Sequence, residues 1–140
     1  MKNLPLSERT VFLDKNGVRA ARGISAEKVN ALVESELVWV FNLGRAHDEQ
    51  HERNLRFWLP EILNARAVEN LRLDDVLARI LPPTRRTING SEISQWFLLS
   101  PPSVGRIARQ AGGCVKNGLL YVERDRLAAW LRRRWIGASQ

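Results

Sequence analysis

The sequence predicts a mainly α-helical protein with small β-hairpins, in which one arrangement of elements occurs twice. From residue 91 to residue 134 the chain reads as a helix, a second helix, a tight hairpin and a third helix. A shift of 75 residues lays a similar apolar pattern on residues 16–35, so that Ser25 coincides with Ser100. A repeat of this kind predicts two related units in tandem.

The unit at residues 87–137 carries the clearer pattern. Ile93, Trp96 and Phe97 have the spacing of one apolar helix face. Ser100 followed by Pro101 predicts the start of a second helix, because a hydroxyl can cap free amides and proline tolerates the first helical position. The inward positions of this second helix are Val104, Ile107, Ala108 and Ala111.

A hairpin and a third helix complete this unit. Asn117-Gly118 stands between two apolar runs and is a strong signal for a two-residue turn. Cys114 is the one cysteine, which excludes an internal disulfide, and we expect it to pack as a small apolar residue at the hairpin. The apolar positions of the third helix are Leu127, Ala128, Trp130, Leu131 and Trp135.

The first unit is predicted at residues 11–66, after a flexible arm at residues 1–10. The runs at 37–43 and 54–59 are rich in β-forming residues and predict two strands joined by a long polar loop. A helix is expected to begin at Pro60. Residues 67–86 are predicted to form a helical connector, with an apolar face made by Leu71, Leu73, Val76, Leu77 and Ile80.

The order of elements in the second unit resembles the winged helix-turn-helix of the excisionase/MerR superfamily. The segments that carry the resemblance are SEISQWFLLS, SPPSVGRIARQ, CVKNGLLYV and RDRLAAWL. The resemblance implies tandem winged helix-turn-helix modules that bind double-stranded DNA without catalysis. It also implies that the helix at residues 101–111 reads the major groove.

The distribution of charge agrees with that expectation. The net charge is +7, and residues 67–140 hold twelve basic and six acidic residues against ten and nine in residues 1–66. Most of the basic residues are arginine, which suits bidentate contact with phosphate or guanine. A basic excess on a helix-turn-helix is typical of a nucleic-acid footprint.

The expected DNA contacts follow from the helix faces and the hairpin tip. Arg106 and Arg109 are expected to grip guanine and Gln110 to read adenine. In the second unit the candidate residues are Ser103, Arg106, Arg109, Gln110, Lys116 and Asn117, and the end of the connector adds Arg85 and Arg86. In the near-neutral first unit they are Lys28, Asn30, Arg19 and Arg22. The alternatives are a solvated helix face and, for Arg132, Arg133 and Arg134, either phosphate contacts or a solvated helix end.

Other chemistries have little support in the sequence. His47 and His51 have the spacing of a zinc motif, but Asp48 stands where a metalloprotease needs glutamate. We therefore expect no metal, no cofactor and no catalytic residue. The sequence has no apolar run of membrane-spanning length and no apolar leader at residues 1–10, so a cytoplasmic, nucleoid-associated protein is expected.

Several biological roles remain open at this point. The resemblance favours a transcriptional regulator or an accessory factor in mobile-element recombination. Tandem winged helices also occur in replication-initiation and centromere-binding proteins of DNA segregation. A protein-interaction adaptor is the alternative from another class, and the first unit is a candidate for homodimerisation or cooperative assembly on DNA.

Overall fold

The computed structural model describes residues 12–34, 39–45, 52–58 and 72–137, and in these ranges the fold is mixed α/β. The helices are α1 Lys15–Arg22, α2 Ala26–Glu34, α3 Leu73–Ile80, α4 Gly90–Phe97, α5 Pro101–Gln110 and α6 Arg124–Arg134. The strands are β1 Phe12–Leu13, β2 Trp39–Asn42, β3 Leu55–Trp58, β4 Thr87–Asn89, β5 Cys114–Lys116, β6 Leu119–Glu123 and β7 Trp135–Gly137.

The predicted small hairpins are confirmed, but the mainly α class is too narrow. β2 pairs with β3 and β5 pairs with β6, as the two apolar runs and the Asn-Gly turn predict. The strands β1, β4 and β7 extend these hairpins into two antiparallel sheets. Strands of two or three residues are too short to show an alternating pattern, so periodicity does not predict them.

Elements of the two halves recur 75 residues apart. α1 and α4 cover eight residues each, at 15–22 and 90–97. Asp14 and Asn89 precede them, and each side chain accepts a hydrogen bond of 2.8 Å from the amide of the third helical residue. Both helices end at a residue in the left-handed region, Gly23 at φ 62° and Leu98 at φ 53°. The two helices therefore have the same kind of N-cap and the same kind of C-cap.

The strand order joins the two halves of the chain. The first sheet has the order β1-β3-β2-β7, and the second has the order β4-β6-β5. β7 follows α6 in the second half, yet it pairs antiparallel with β2, with Val40 opposite Ile136. The end of the predicted unit 87–137 thus completes the sheet of the predicted unit 11–66. The boundary near residue 86 separates the two copies of the sequence repeat, but the pairing of β2 with β7 joins residues from both sides of it.

The first sheet is buried on both of its faces. Val40, Leu55 and Phe57 lie on the face that packs against α1 and α2, in a small apolar cluster. The other face belongs to the main core, which contains buried residues from both halves of the chain. Its members from the first half are Phe12, Trp39, Phe41, Leu43 and Trp58. This sheet is therefore a layer shared between the halves.

The connector packs as its apolar pattern predicts, whereas Trp135, expected on the third helix, instead begins β7. Leu73, Val76, Leu77 and Ile80 are buried in the main core, and α3 packs against α6. Four tryptophans are buried, and Trp135 is half-buried with its ring stacked on Trp39 at 5.2 Å. The arm at 1–10, the loop with His47 and His51, the helix expected at Pro60, and Leu71 lie outside the described residues.

Arg56 connects the shared sheet to the end of α4. Its Nε and Nη2 donate to the carbonyl oxygens of Phe97 and Leu98, each at 2.9 Å. Its Nη1 donates to Arg53 O and Leu55 O at 2.8 and 2.9 Å. The last carbonyls of a helix lack helical partners, and a cation is favourable there. Burial lowers the pKa of Arg56, but an arginine remains charged at neutral pH.

Arg56→Met should destabilise the protein by about 3 kcal/mol, because buried carbonyls would lose a charged donor. The free energy of unfolding from urea denaturation measures this loss. Arg53→Met is the matched control, since its side chain is exposed and only its backbone carbonyl takes part. Equal losses in the two variants would contradict the role assigned to the Arg56 guanidinium.

Candidate nucleic-acid interface

α4 and α5 form the helical pair from which the predicted interface is built. Val104, Ile107, Ala108 and Ala111 are buried, so the predicted inward face of α5 is confirmed. Ser100 occupies the N-cap position of α5, but its side chain accepts no capping hydrogen bond, contrary to expectation. Pro101 and the next residue are both prolines, and they remove two of the amides that a cap would serve.

The hairpin tip has the predicted turn. Asn117 and Gly118 both have positive φ, 52° and 76°, as a type I′ turn requires. Lys116 and Asn117 are exposed there. Cys114 is also exposed, so the expectation that it packs as an apolar residue is wrong. All three residues of β5 are exposed because this edge strand extends away from the core.

A groove of about 490 Å³ connects α5 to the hairpin. Its walls come from α4, the first half of α5, and β6. Small or polar residues make up most of its lining: Gly90, Ser91, Ser94, Gln95, Pro101, Val104, Gly105 and Leu120. The outward surface of α5 and the inner strand of the hairpin are therefore parts of one concave surface.

Arg106 is not free on the outer face of α5, and that expectation is wrong. It is half-buried, and its Nη2 and Nη1 donate to Leu43 O at 2.7 Å and Gly44 O at 3.1 Å. Gln110 is exposed, but its Nε2 donates to Arg45 O at 3.1 Å. These side chains hold the turn at residues 43–45 from the first half, which the sequence did not place near α5.

Arg134 completes this contact from α6, and sequence reasoning missed it. Its Nη1 donates to Gly44 O at 2.6 Å, and its Nη2 approaches Arg45 O at 3.2 Å and Gln110 Oε1 at 3.3 Å. Its guanidinium also lies 4.7 Å from the Trp130 ring centroid. The one sequence signal was the i, i+4 spacing of a tryptophan and an arginine, which says nothing about a partner 90 residues away.

Gly44 permits the close approach in this turn. A Cβ built there would lie 2.8 Å from Asn54 Nδ2 and 3.0 Å from Asn42 Oδ1. Asn42 Oδ1 also accepts a hydrogen bond of 2.9 Å from the Gly44 amide. A larger residue here would have to displace the Asn54 side chain, and the Gly44 carbonyl oxygen accepts from both Arg106 and Arg134.

Arg85 has a structural partner rather than an exposed position for DNA. Its Nη1 and Nη2 donate to the two carboxylate oxygens of buried Glu92 at 2.7 and 2.6 Å. This hydrogen bonding raises the pKa of Arg85. Glu92 also accepts from the Asn89 amide at 3.1 Å, so the same carboxylate caps α4. Arg86 is exposed, and its backbone carbonyl accepts from the Arg124 amide.

The remaining candidates lie at the surface. Ser103 is half-buried on α5, where its Oγ lies 3.4 Å from Ser100 Oγ, and Arg109 is exposed near the C-terminus of α5. The candidates of the first half are exposed as well: Arg19, Arg22, Lys28 and Asn30. Asn30 Oδ1 accepts from Lys15 Nζ at 3.0 Å.

An acidic group accompanies these cations in the first half. Glu27 is exposed in the first turn of α2, and hydrogen bonds from its own backbone amide and from Ser25 lower the pKa of the Glu27 carboxyl. The anionic form is thus favoured at the surface where Lys28 and Asn30 were expected to meet DNA. A phosphate backbone would be repelled there.

Comparisons of the chain with known protein families, with curated proteins and with solved structures find no match. In the described ranges, no three histidine, cysteine or acidic side chains are placed to hold a metal ion. Among the helices of the same ranges, none has the length and apolar character needed to cross a membrane. The function is therefore inferred from the geometry of the described residues.

Arg85→Ala should lower the free energy of unfolding by about 2 kcal/mol, since it leaves a buried carboxylate without its cation. Partial exposure of Arg85 keeps this cost below that of a fully buried pair. Arg86→Ala removes the neighbouring exposed arginine and should change stability by less than about 0.5 kcal/mol. Urea denaturation of both variants measures the difference. If Arg85→Ala leaves the free energy of unfolding unchanged, Arg85 is again a candidate for contact with DNA.

Proposed function

We propose that this protein binds double-stranded DNA without catalysis, as a tandem arrangement of two winged helix-turn-helix units. In this proposal α5 enters the major groove and the β5–β6 hairpin acts as the wing. The recurrence of a β-strand, an N-capped helix with a left-handed C-cap and a second helix, at a shift of 75 residues, supports the tandem arrangement. The net charge of +7, most of it after residue 66, supports a polyanionic partner.

One observation carries the proposal: the outward surface of α5 is open beside a hairpin with a basic tip. Pro102 and Arg109 are exposed on this surface, and Gly105 lies between them, where an added Cβ would meet the end of the Arg109 side chain at 3.6 Å. The groove that runs from Gly105 to β6 connects this surface to the hairpin. Lys116 and Asn117 stand at the hairpin tip, where a wing meets phosphate or a minor groove.

The arginines of the region take different roles in this proposal. Arg109 and Ser103 are the candidates for direct contact with DNA from α5, and Arg86 is an exposed candidate for phosphate. Arg106 and Gln110 are positioning residues, because their donors hold residues 43–45 against α5. Arg85 supports α4, because its Nη1 and Nη2 donate to the Glu92 carboxylate rather than pointing outward to DNA.

The biological role follows the resemblance: a transcriptional regulator, or an accessory factor in the recombination of a mobile element. The two give different footprints on DNA. A regulator protects a single promoter site, whereas an accessory factor that assembles cooperatively protects adjacent repeats.

A protein-interaction adaptor is the second candidate function, and one observation favours it. Val115 and Leu119 are exposed large apolar side chains on the hairpin, with 65% and 57% of their surface accessible. Exposed apolar groups that lie close together are typical of contact surfaces. The DNA measurement below separates this candidate from the first.

Gly105→Gln tests whether the surface of α5 meets DNA, without any change of charge. An added Cβ at Gly105 would meet Arg109 Nη1 at 3.6 Å, which is an ordinary van der Waals contact with a flexible side chain. The fold should therefore accept the substitution, and stability should rise by about 0.5 kcal/mol as a helical glycine is lost. Affinity for a 30 bp random-sequence duplex should fall about tenfold, because the side chain would overpack a close contact. Fluorescence anisotropy at several salt concentrations measures this affinity.

Ala129→Gln is the neutral control, on an exposed position of α6. Its affinity should equal that of the wild type. Arg109→Ala should lower affinity several-fold. It should also reduce the slope of log affinity against log salt concentration by about one, the contribution of one phosphate contact. A wild type that fails to bind DNA at low salt would exclude the proposal and leave the adaptor as the better account.

A further inference from the structure

Five arginines converge where α5, α6 and the turn at residues 43–45 meet. We call Arg45, Arg106, Arg109, Arg133 and Arg134 the junction arginines. They come from both halves of the chain. Arg134 is 8% exposed and Arg106 is half-buried, whereas the other three are exposed. A partly buried group of cations is thus formed by the contact between the halves.

Among the described residues, no acidic side chain pairs with this group. Of the ion pairs formed by described residues, none includes a junction arginine. Arg106 and Arg134 instead share two neutral acceptors, Gly44 O and Gln110 Oε1. Burial lowers the pKa of Arg106, and Arg45 and Arg109 lower it further by repulsion. Burial lowers the pKa of Arg134 in the same way, with repulsion from Arg106 and Arg133.

A cavity of about 560 Å³ opens beside these arginines, lined by Gln110, Trp130, Arg133 and Arg134. Arg134 forms its buried wall and is fixed by its bonds to the turn and by the Trp130 ring. Arg133 is exposed at the cavity, and no described carboxylate pairs with it. A fixed guanidinium beside a free one is a favourable arrangement for the oxygens of a phosphate group.

We propose that the junction arginines bind a phosphate group and that this binding stabilises the contact between the two halves of the chain. The phosphate has two possible sources, the backbone of a DNA duplex and a small free phosphate compound. The backbone form rests on the proposed function and adds a second DNA contact beyond α5 and the hairpin. The free form is independent of DNA binding.

Thermal unfolding of the full chain with inorganic phosphate tests the site directly. Ionic strength is held constant by replacing sodium chloride, so that screening does not change. Phosphate at about ten times its Kd should raise the Tm of the wild type by about 3 °C or more. Arg45→Gln combined with Arg133→Gln removes two exposed charges without removing a described side-chain hydrogen bond, and this variant should lose most of the rise.

Arg19→Gln combined with Lys28→Gln is the matched control, because it removes the same charge from exposed positions of α1 and α2. It should keep the full rise in Tm. Equal rises in all three proteins would show a general ionic effect and overturn the proposal. No rise in the wild type would overturn it as well.

DNA binding by the wild type and the Arg45, Arg133 variant identifies the source of the phosphate. If the backbone occupies the site, the Arg45, Arg133 variant should bind the 30 bp duplex at least about tenfold more weakly, with a salt slope smaller by about two. Unchanged DNA affinity with lost phosphate stabilisation would support a small free phosphate compound as the ligand. A wild type that gains Tm with phosphate but does not bind DNA would support the site while excluding the proposed function.

Discussion

Burial of the first sheet on both of its faces is the constraint on which the rest of the structure depends. One face is covered by α1 and α2, and the other lies in the main core with residues of the second half. A sheet buried in this way needs its edges and its polar groups satisfied within the protein. β7 returns from the end of α6 to pair with β2, and Arg56 satisfies four carbonyls between the layers.

The shared sheet also determines where the arginines of the second half can act. It brings the turn at residues 43–45 against α5 and α6, so Arg106 and Arg134 meet backbone carbonyls there. Their donors are directed into the protein, and the exposed cations Arg109 and Arg133 remain at the surface. α5 and α6 therefore each carry one arginine that holds the halves together and one that is exposed at the surface.

Much of the local structure could be predicted because its signals are local. The apolar spacing in α3, α4, α5 and α6 places their buried faces correctly, and Asn117-Gly118 forms the turn that its residue types require. The 75-residue shift, predicted from the apolar positions and the match of Ser25 with Ser100, also relates the caps Asp14 and Asn89. The positions of Arg109, Lys116 and Asn117 at the surface followed from the same reasoning.

The candidate site was harder to predict because its contacts are not local. A helical wheel places Arg106 and Gln110 outside the core of their own unit, but it contains no information about a turn more than sixty residues away. The sequence places Arg85 beside Arg86 as an exposed basic pair, whereas in the structure Arg85 donates to the buried carboxylate of Glu92. Arg134 was expected at a phosphate or at a solvated helix end, because its partner Gly44 O lies 90 residues away in the sequence.

The sequence by itself determined the helices, the hairpins, the repeat and the basic character of the second half, because periodicity, caps and turn residues act over a few neighbours. Only the tertiary structure decided which arginines are structural and which are free, and that the two halves share one sheet. The physical reason is that charge and hydrogen bonding depend on which groups come together in space, and burial decides how strongly each group must be satisfied.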